Sequence, residues 1–299
     1  MLHPVTIRLQ NIQWSCSNGY AVCDVARLDE IHPFISGNKY FKLKYNLQKA
    51  IAENKGIITM GGAYSNHMAA TAFACNKAGI KSIGLIRGEI PTPLNHTLSF
   101  CTQHQMQLIS IKRDEFYRTS NAVMQLITQY HDDYFFVPEG GDNAEGEKGC
   151  TEILSHIPHA HTYTHIACAV GTGTTCRGLA LSAAPHQTIL AIPSLKIKKE
   201  EQEQFIKNHI TVSSPASVNV LFDFAGKGYA QKDDILISFM NRFYNETKMP
   251  LDFVYTGKLM MAITTLFEQN YFSVDDRVLV LHTGGLQGNN SLPAGTLLY

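Results

Sequence analysis

Short apolar runs rich in β-branched residues alternate along this chain with longer segments of helical periodicity, and this alternation restricts the fold more than any other feature. Strands are predicted at Gly56 to Met60, Ser82 to Arg87, Gln107 to Lys112, Tyr134 to Val137, His165 to Val170, Thr188 to Ile192, Val218 to Phe222 and Arg277 to His282. Helices are predicted between them, at Asn66 to Ala78, Asp114 to Gln129, Lys198 to His209, Asp234 to Glu246 and Lys258 to Asn270. Parallel strands need long crossovers, and the helices in those crossovers bury the sheet on both faces. The expected class is α/β. About eight strands is large for one open sheet, which suggests two. No repeat or low-complexity linker marks where to divide them.

Composition narrows the partners. Hydrophobic residues make up 44% and charged residues 17% of the 299, which excludes a disordered chain. Lys and Arg (25) balance Asp and Glu (25), so no electrostatic footprint for nucleic acid or an anionic membrane exists. A small-molecule partner is expected. The cysteines, Cys16, Cys23, Cys75, Cys101, Cys150, Cys168 and Cys176, are scattered and never spaced C-x-x-C, arguing against disulfides and zinc and for a reducing cytoplasm. The first residues lack an apolar signal core, and no run approaches the ~20 apolar residues of a membrane span.

Four strand-to-helix junctions are rich in small and polar residues, where open α/β sheets bind ligands. In Met60-Gly61-Gly62-Ala63-Tyr64-Ser65-Asn66-His67 a helix starts near Ser65, whose hydroxyl and neighbouring N–H groups could hold a carboxylate; equally, Ser65 or Asn66 could only cap the helix. Ala169-Val170-Gly171-Thr172-Gly173-Thr174-Thr175-Cys176 could cup a phosphate or be a tight structural turn. A dinucleotide fingerprint would need glycine at Cys176 and an acidic residue near Ala191, and Gly141 to Gly146 lacks the Walker lysine because Glu147 stands there. The other two junctions are Pro138-Glu139-Gly140-Gly141 and His282-Thr283-Gly284-Gly285.

Lys39 follows Ser36-Gly37-Asn38 at an expected helix start, and Lys42 shares its face. Neighbouring cations and desolvation can turn such an amine into a nucleophile; an exposed pair is the alternative. His156, His159, His161 and His165 have no recognisable ligand spacing and are expected to lie in a polar loop, with no metal.

Six ordered motifs then resemble one family. Ile35-Ser36-Gly37-Asn38-Lys39, Gly61 to His67, Pro138 to Gly141, Val170 to Gly173, Val254-Tyr255-Thr256-Gly257-Lys258 and His282 to Leu286 occur in the order seen in the D-cysteine desulfhydrase and 1-aminocyclopropane-1-carboxylate deaminase family, over residues 20 to 288. The resemblance implies a pyridoxal 5'-phosphate (PLP) enzyme of fold type II, like the tryptophan synthase β-chain. It would have two three-layer αβα domains with mostly parallel sheets: a large PLP-binding domain (1–44 and 150–299) and a small one (45–149), with the site between them and a homodimer as the assembly.

By this likeness Lys39 bonds covalently to PLP and Asn66 contacts its phenolic oxygen. Gly171, Thr172, Gly173, Thr174 and Thr175 hold the phosphate, and Thr256 and Thr283 also face the cofactor. Ser65, Asn66 and His67 bind substrate, Lys42 tunes Lys39, and Tyr229 and Tyr255 are active-site tyrosines. Thr174 replaces a glycine common in the family, and a β-branched residue resists positive φ, so a reshaped turn is expected.

Deaminases of this family place a glutamate against the pyridine nitrogen; here the residue is Thr256, and a hydroxyl cannot hold a proton as a carboxylate does. With Thr283, this implies the desulfhydrase side: α,β-elimination converting D-cysteine to pyruvate, ammonia and hydrogen sulfide. The alternatives are deamination of 1-aminocyclopropane-1-carboxylate, β-replacement as in cysteine synthases, a non-catalytic PLP-binding protein, and a dinucleotide-binding oxidoreductase.

Overall fold

The computed structural model describes residues 5–299, and its elements follow the expected alternation. In chain order they are β1 (Leu9–Cys16), β2 (Gly19–Arg27), α1 (Asn38–Ala52), β3 (Gly56–Gly61), α2 (Asn66–Ala78), β4 (Ser82–Arg87), α3 (His96–Gln103), β5 (Met106–Ile111), α4 (Asn121–Tyr130), β6 (Tyr134–Val137) and α5 (Ala144–Cys150). They continue with β7 (His165–Val170), α6 (Thr174–Ser182), β8 (Thr188–Pro193), α7 (Gln202–His209), β9 (Ser217–Val220), α8 (Asp234–Thr247), α9 (Thr256–Glu268) and β10 (Val278–His282). No helix among the described residues is long and apolar enough to cross a membrane.

The chain divides into two compact units, one containing residues 32–149 and the other residues 5–31 with 150–299. The sequence reading cuts after residue 44, which lies inside the continuous helix α1; contacts instead group residues 32–44 with 45–149.

The first unit holds a four-stranded parallel sheet in the order β5-β4-β3-β6. Every residue of central strand β3 is buried, as expected of a strand covered on both faces. Ile58, Met60, Ile83 and Leu85 pack towards Val123 of α4, whereas Met68 and Ala72 of α2 join Leu98 and Cys101 of α3 in a separate cluster with Ile86 and Met106.

The second unit holds a six-stranded sheet in the order β1-β2-β10-β7-β8-β9, parallel except for the β1–β2 hairpin. Ala167, Ala169, Leu190 and Ile192 pack with α8 and α9, through residues such as Met240, Phe243, Leu259 and Ile263. The alternate residues Ile166, Cys168, Ile189 and Ala191 are equally buried, because the period of two turns them to the opposite face. Trp14 anchors the hairpin, donating from Nε1 to Thr264 Oγ1 at 2.9 Å and meeting Phe243 and Phe267 edge-on.

Several element bounds differ from expectation. The β1–β2 hairpin was not anticipated, although Asn18-Gly19 between alternating runs is a hairpin signal and Gly19 takes φ +131°. The helix expected from Asp114 begins at Asn121, because Ser120 accepts from Val123 N at 3.2 Å and caps it there. The helix expected from Lys198 starts as an α-helix at Gln202 after a 3-10 turn, and the strand expected to Phe222 ends at Val220. Helix α3, also unanticipated, is capped by Asn95.

Candidate active site

In the unit of residues 32–149, Gly37 (φ +67°) admits the chain into α1, and Lys39 is the second helical residue. Its half-buried side chain donates from Nζ to Asn38 Oδ1 at 2.8 Å. Lys42, one turn on, is buried, and its Nζ donates to Gly140 O at 2.9 Å. The Pro138–Gly141 turn is therefore the seat of Lys42. Gly140 and Gly141 both take positive φ, and a Cβ on Gly141 would lie 3.2 Å from Lys42 Cβ and 3.6 Å from His67 Cε1.

Ser65 is the N-cap of α2, accepting from Met68 N at 3.4 Å, so the capping reading is met in this residue. Asn66 and His67 follow in the first turn. His67 Nε2 lies 2.9 Å from Thr59 Oγ1, whose proton goes to Val137 O at 2.7 Å. Thr59 can then only accept, so His67 carries its proton on Nε2 and leaves Nδ1 bare. Burial, reinforced by the Lys39 and Lys42 cations, holds this imidazole well below its ordinary pKa range. Nδ1 of His67 and Oδ1 of Asn66 are buried with no hydrogen-bond partner among the described residues. Two orphaned acceptors at a helix N-terminus beside two lysines form a site built to receive a polar ligand.

In the other unit the Gly171–Thr175 turn leaves β7 and opens α6. The positive φ falls on Gly173 (+87°), where a Cβ would run into the His209 carbonyl, while Thr174 is the first helical residue. The turn is therefore not reshaped by Thr174. Thr172 and Thr174 hydroxyls meet at 3.0 Å, and Arg177 Nη1 donates to His209 O at 2.9 Å and Thr172 O at 3.4 Å, bracing the turn from behind. First-turn N–H groups, hydroxyls and a glycine-only bend suit a phosphate.

Tyr255 packs its ring on this turn, 3.3 Å from where a Gly171 Cβ would stand. Its hydroxyl is 3.2 Å from that of Tyr229, with the rings edge to face. Thr256 is buried and hydrogen-bonded to Asp252, which caps the start of α9. Thr283 follows β10, whose carboxyl end lies at the same sheet edge as that of its parallel neighbour β7. It is held by a buried chain that sequence reading missed: His282 donates from Nε2 to Pro250 O at 2.7 Å, its Nδ1 is 3.2 Å from Asp29 Oδ1, and Asp29 takes a two-pronged contact from Arg27. Among the described residues no group of three or more metal-ligating side chains forms a metal site.

Lys39, Lys42, Ser65, Asn66 and His67 thus belong to one unit, and Gly171 to Thr175, Tyr229, Tyr255, Thr256 and Thr283 to the other. Each unit carries ligand-type turns where helices leave a mostly parallel sheet, and the α/β architecture is that of a PLP enzyme of fold type II. The pyridoxal-phosphate dependent enzyme family matches residues 25–284, and the chain belongs to that family.

Its relatives include the D-cysteine desulfhydrase of Yersinia enterocolitica, 27% identical over 279 residues (86% of this chain, 84% of the relative). They also include a putative 1-aminocyclopropane-1-carboxylate deaminase of Thermotoga maritima, 25% identical over 271 residues (85% of each chain). A solved 1-aminocyclopropane-1-carboxylate deaminase homologue shares the fold with a TM-score of 0.76 at 21% identity, over 97% of this chain and 92% of its own. The chain is therefore a PLP-dependent enzyme similar to desulfhydrases and deaminases, which removes the dinucleotide oxidoreductase alternative.

Proposed function

We propose that this enzyme catalyses α,β-elimination on a small amino acid, with D-cysteine the first candidate. When bound, PLP withdraws electrons from the substrate α-carbon. The observation that carries the choice of substrate is at Thr256. Its hydroxyl donates to Asp252 Oδ1 at 2.7 Å and accepts from Asp252 N at 2.7 Å, so it offers a ring nitrogen no spare proton and no carboxylate. Opening a cyclopropane ring demands stronger withdrawal than expelling hydrosulfide, which favours the desulfhydrase reaction.

In this reading the first turn of α2 receives the substrate carboxylate through its N–H groups and Ser65. Lys39 Nζ serves as general base and takes the α-proton. The released electron pair forms the Cα–Cβ double bond as the Cβ–S bond breaks, and sulfur leaves with the bonding pair. One of the Tyr229 and Tyr255 hydroxyls donates to the other at 3.2 Å, and the pair is suited to pass a proton to the departing sulfur. Released 2-aminoacrylate takes up water to give pyruvate and ammonia. Lys42, fixed on Gly140 O, adds a positive charge near Lys39.

The test is a visible spectrum of the PLP-loaded protein before and after D-cysteine, L-cysteine and 1-aminocyclopropane-1-carboxylate, with sulfide and pyruvate assayed. Sulfide and pyruvate from D-cysteine support the proposal. Ammonia and 2-oxobutyrate from the cyclopropane substrate alone overturn it. Lys39→Ala is expected to lose turnover and covalent cofactor attachment. By the same likeness we propose a cytoplasmic homodimer, to be checked by sedimentation and fractionation.

A further inference from the structure

We propose that Lys258 is a positioning residue, tying the loop that carries Tyr229 to the sheet edge that carries the Gly171 turn and so keeping Tyr229 against Tyr255. Lys258 is the third residue of α9 and only 2% exposed. Its Nζ donates to two backbone carbonyls, Ser194 O at 2.9 Å and Gly228 O at 2.6 Å. Ser194, just beyond β8, is in turn bound to the end of β7: its N–H and its hydroxyl both donate to Val170 O, at 2.9 and 3.0 Å. Val170 directly precedes Gly171, and Gly228 directly precedes Tyr229.

The contacts close a circuit. From Lys258 they run through Ser194 and Val170 to Gly171, whose backbone lies against the Tyr255 ring; from Tyr255 they cross to the Tyr229 hydroxyl at 3.2 Å and return through Gly228. Tyr255 and Lys258 are three residues apart, so one turn of α9 carries both sides of the circuit.

An ammonium is an expensive choice for this place. A cation in a helix's first turn opposes the helix dipole, and burying it costs solvation. Burial lowers the Lys258 amine to about 8, against the opposing influence of Asp252 and Asp233. An apolar side chain would fill the same space without that cost, so what the amine adds is its two donors. The loop is bent at glycines and open to solvent: Gly226 and Gly228 take φ of +60° and +121°, and Tyr229 is 50% exposed.

The catalytic consequence rests on the reading that Tyr229 and Tyr255 serve the leaving group; the tie itself does not. The experiment compares PLP-loaded wild type, Lys258→Met and Lys258→Gln by amide hydrogen exchange and by kinetics with D-cysteine. In Lys258→Met, exchange in residues 225–230 is expected to rise about tenfold without a matching rise in β7, with kcat down about tenfold and KM changed less than about twofold. Lys258→Gln, which keeps a pair of donors, is expected to recover part of both. Unchanged loop exchange in a folded Lys258→Met protein overturns the tie. Faster exchange with unchanged kcat overturns the tyrosine assignment and leaves the tie standing. If neither variant folds, wild type decides: loss of the ammonium charge turns two charge-assisted hydrogen bonds into weaker neutral ones, so raising pH through the amine's titration must speed intrinsic-rate-corrected exchange in 225–230 more than in β7, and equal response overturns the proposal.

Discussion

Asp252 engages the Thr256 hydroxyl from both sides: Thr256 Oγ1 donates to Asp252 Oδ1 at 2.7 Å while accepting from Asp252 N at 2.7 Å. The same carboxylate also takes the N–H groups of Val254, Tyr255 and Thr256 at 2.8 to 2.9 Å. One buried side chain therefore satisfies the start of α9 and fixes the direction of a hydroxyl that the family resemblance would set against the cofactor.

Removing that acceptor strands several buried donors at once. Asp252→Ala is expected to lower unfolding free energy by about 2 kcal/mol or more, and Asp252→Asn, which keeps one acceptor oxygen, by less. Urea titrations of the two variants beside wild type check the order.

His67 makes stability depend on pH with a definite sign. Its folded imidazole titrates well below the ordinary 6.5 because it is buried beside Lys39 and Lys42. Between those two values the unfolded chain binds the extra proton and the folded chain does not. The contribution is therefore intact above about pH 6.5 and is lost as pH falls, by up to about 1.4 kcal/mol per unit. His32 and His165 are lowered too, but they are common to both proteins compared, so the difference between wild type and His67→Gln isolates this group. Wild type should lose more stability than the variant between pH 7 and 5; equal slopes would remove the assignment.

Much of this was legible in the sequence, for reasons that particular residues make plain. All eight expected strands are present as β3 to β10, and the clearest are those covered on both faces, written as continuous apolar runs such as Ile166 to Val170. Glycines marked the Pro138–Gly141 and Gly171–Thr175 turns, where backbone geometry has few alternatives. What stayed hidden joins residues far apart in the chain: Asp29 beneath His282, Thr59 donating to Val137, Arg177 reaching His209, and Lys258 reaching Ser194 and Gly228. No local period or spacing encodes such pairs. Ser65 shows the opposite limit, since its visible motif fits a cap and a carboxylate site equally well, and the cap is met.

The cysteines should separate into two classes. Cys16 is partly exposed, whereas Cys23, Cys75, Cys101, Cys150, Cys168 and Cys176 are buried. Burial raises the thiols of Cys23 and Cys75 far above their usual range and that of Cys101 to about 12, leaving negligible thiolate at neutral pH. A disulfide reagent at pH 8 is expected to modify Cys16 quickly in the native protein and all seven in denaturant. Rapid native modification of Cys75 or Cys101 would contradict the packing around α2 and α3.

Gly173 offers the sharpest test of the phosphate turn. Its φ of +87° lies where an L side chain is strained, and an added Cβ would strike the His209 carbonyl, a backbone atom that Arg177 also holds. Gly173→Ala must therefore displace either the turn or the chain at His209, and the first-turn N–H groups of α6 lose their common focus. The expected result is PLP affinity at least about tenfold weaker, together with a stability loss of about 1 to 2 kcal/mol from the strained conformation alone. Gly288→Ala is the control, because its backbone is not in the left-handed region and a Cβ there meets nothing within 4 Å. Absorbance titration with PLP and thermal melts of both variants separate the two effects. If Gly173→Ala melts lower yet binds PLP as wild type does, the turn is structural and the phosphate lies elsewhere; if both fall together while Gly288→Ala is unchanged, the backbone at Gly173 is part of the cofactor site.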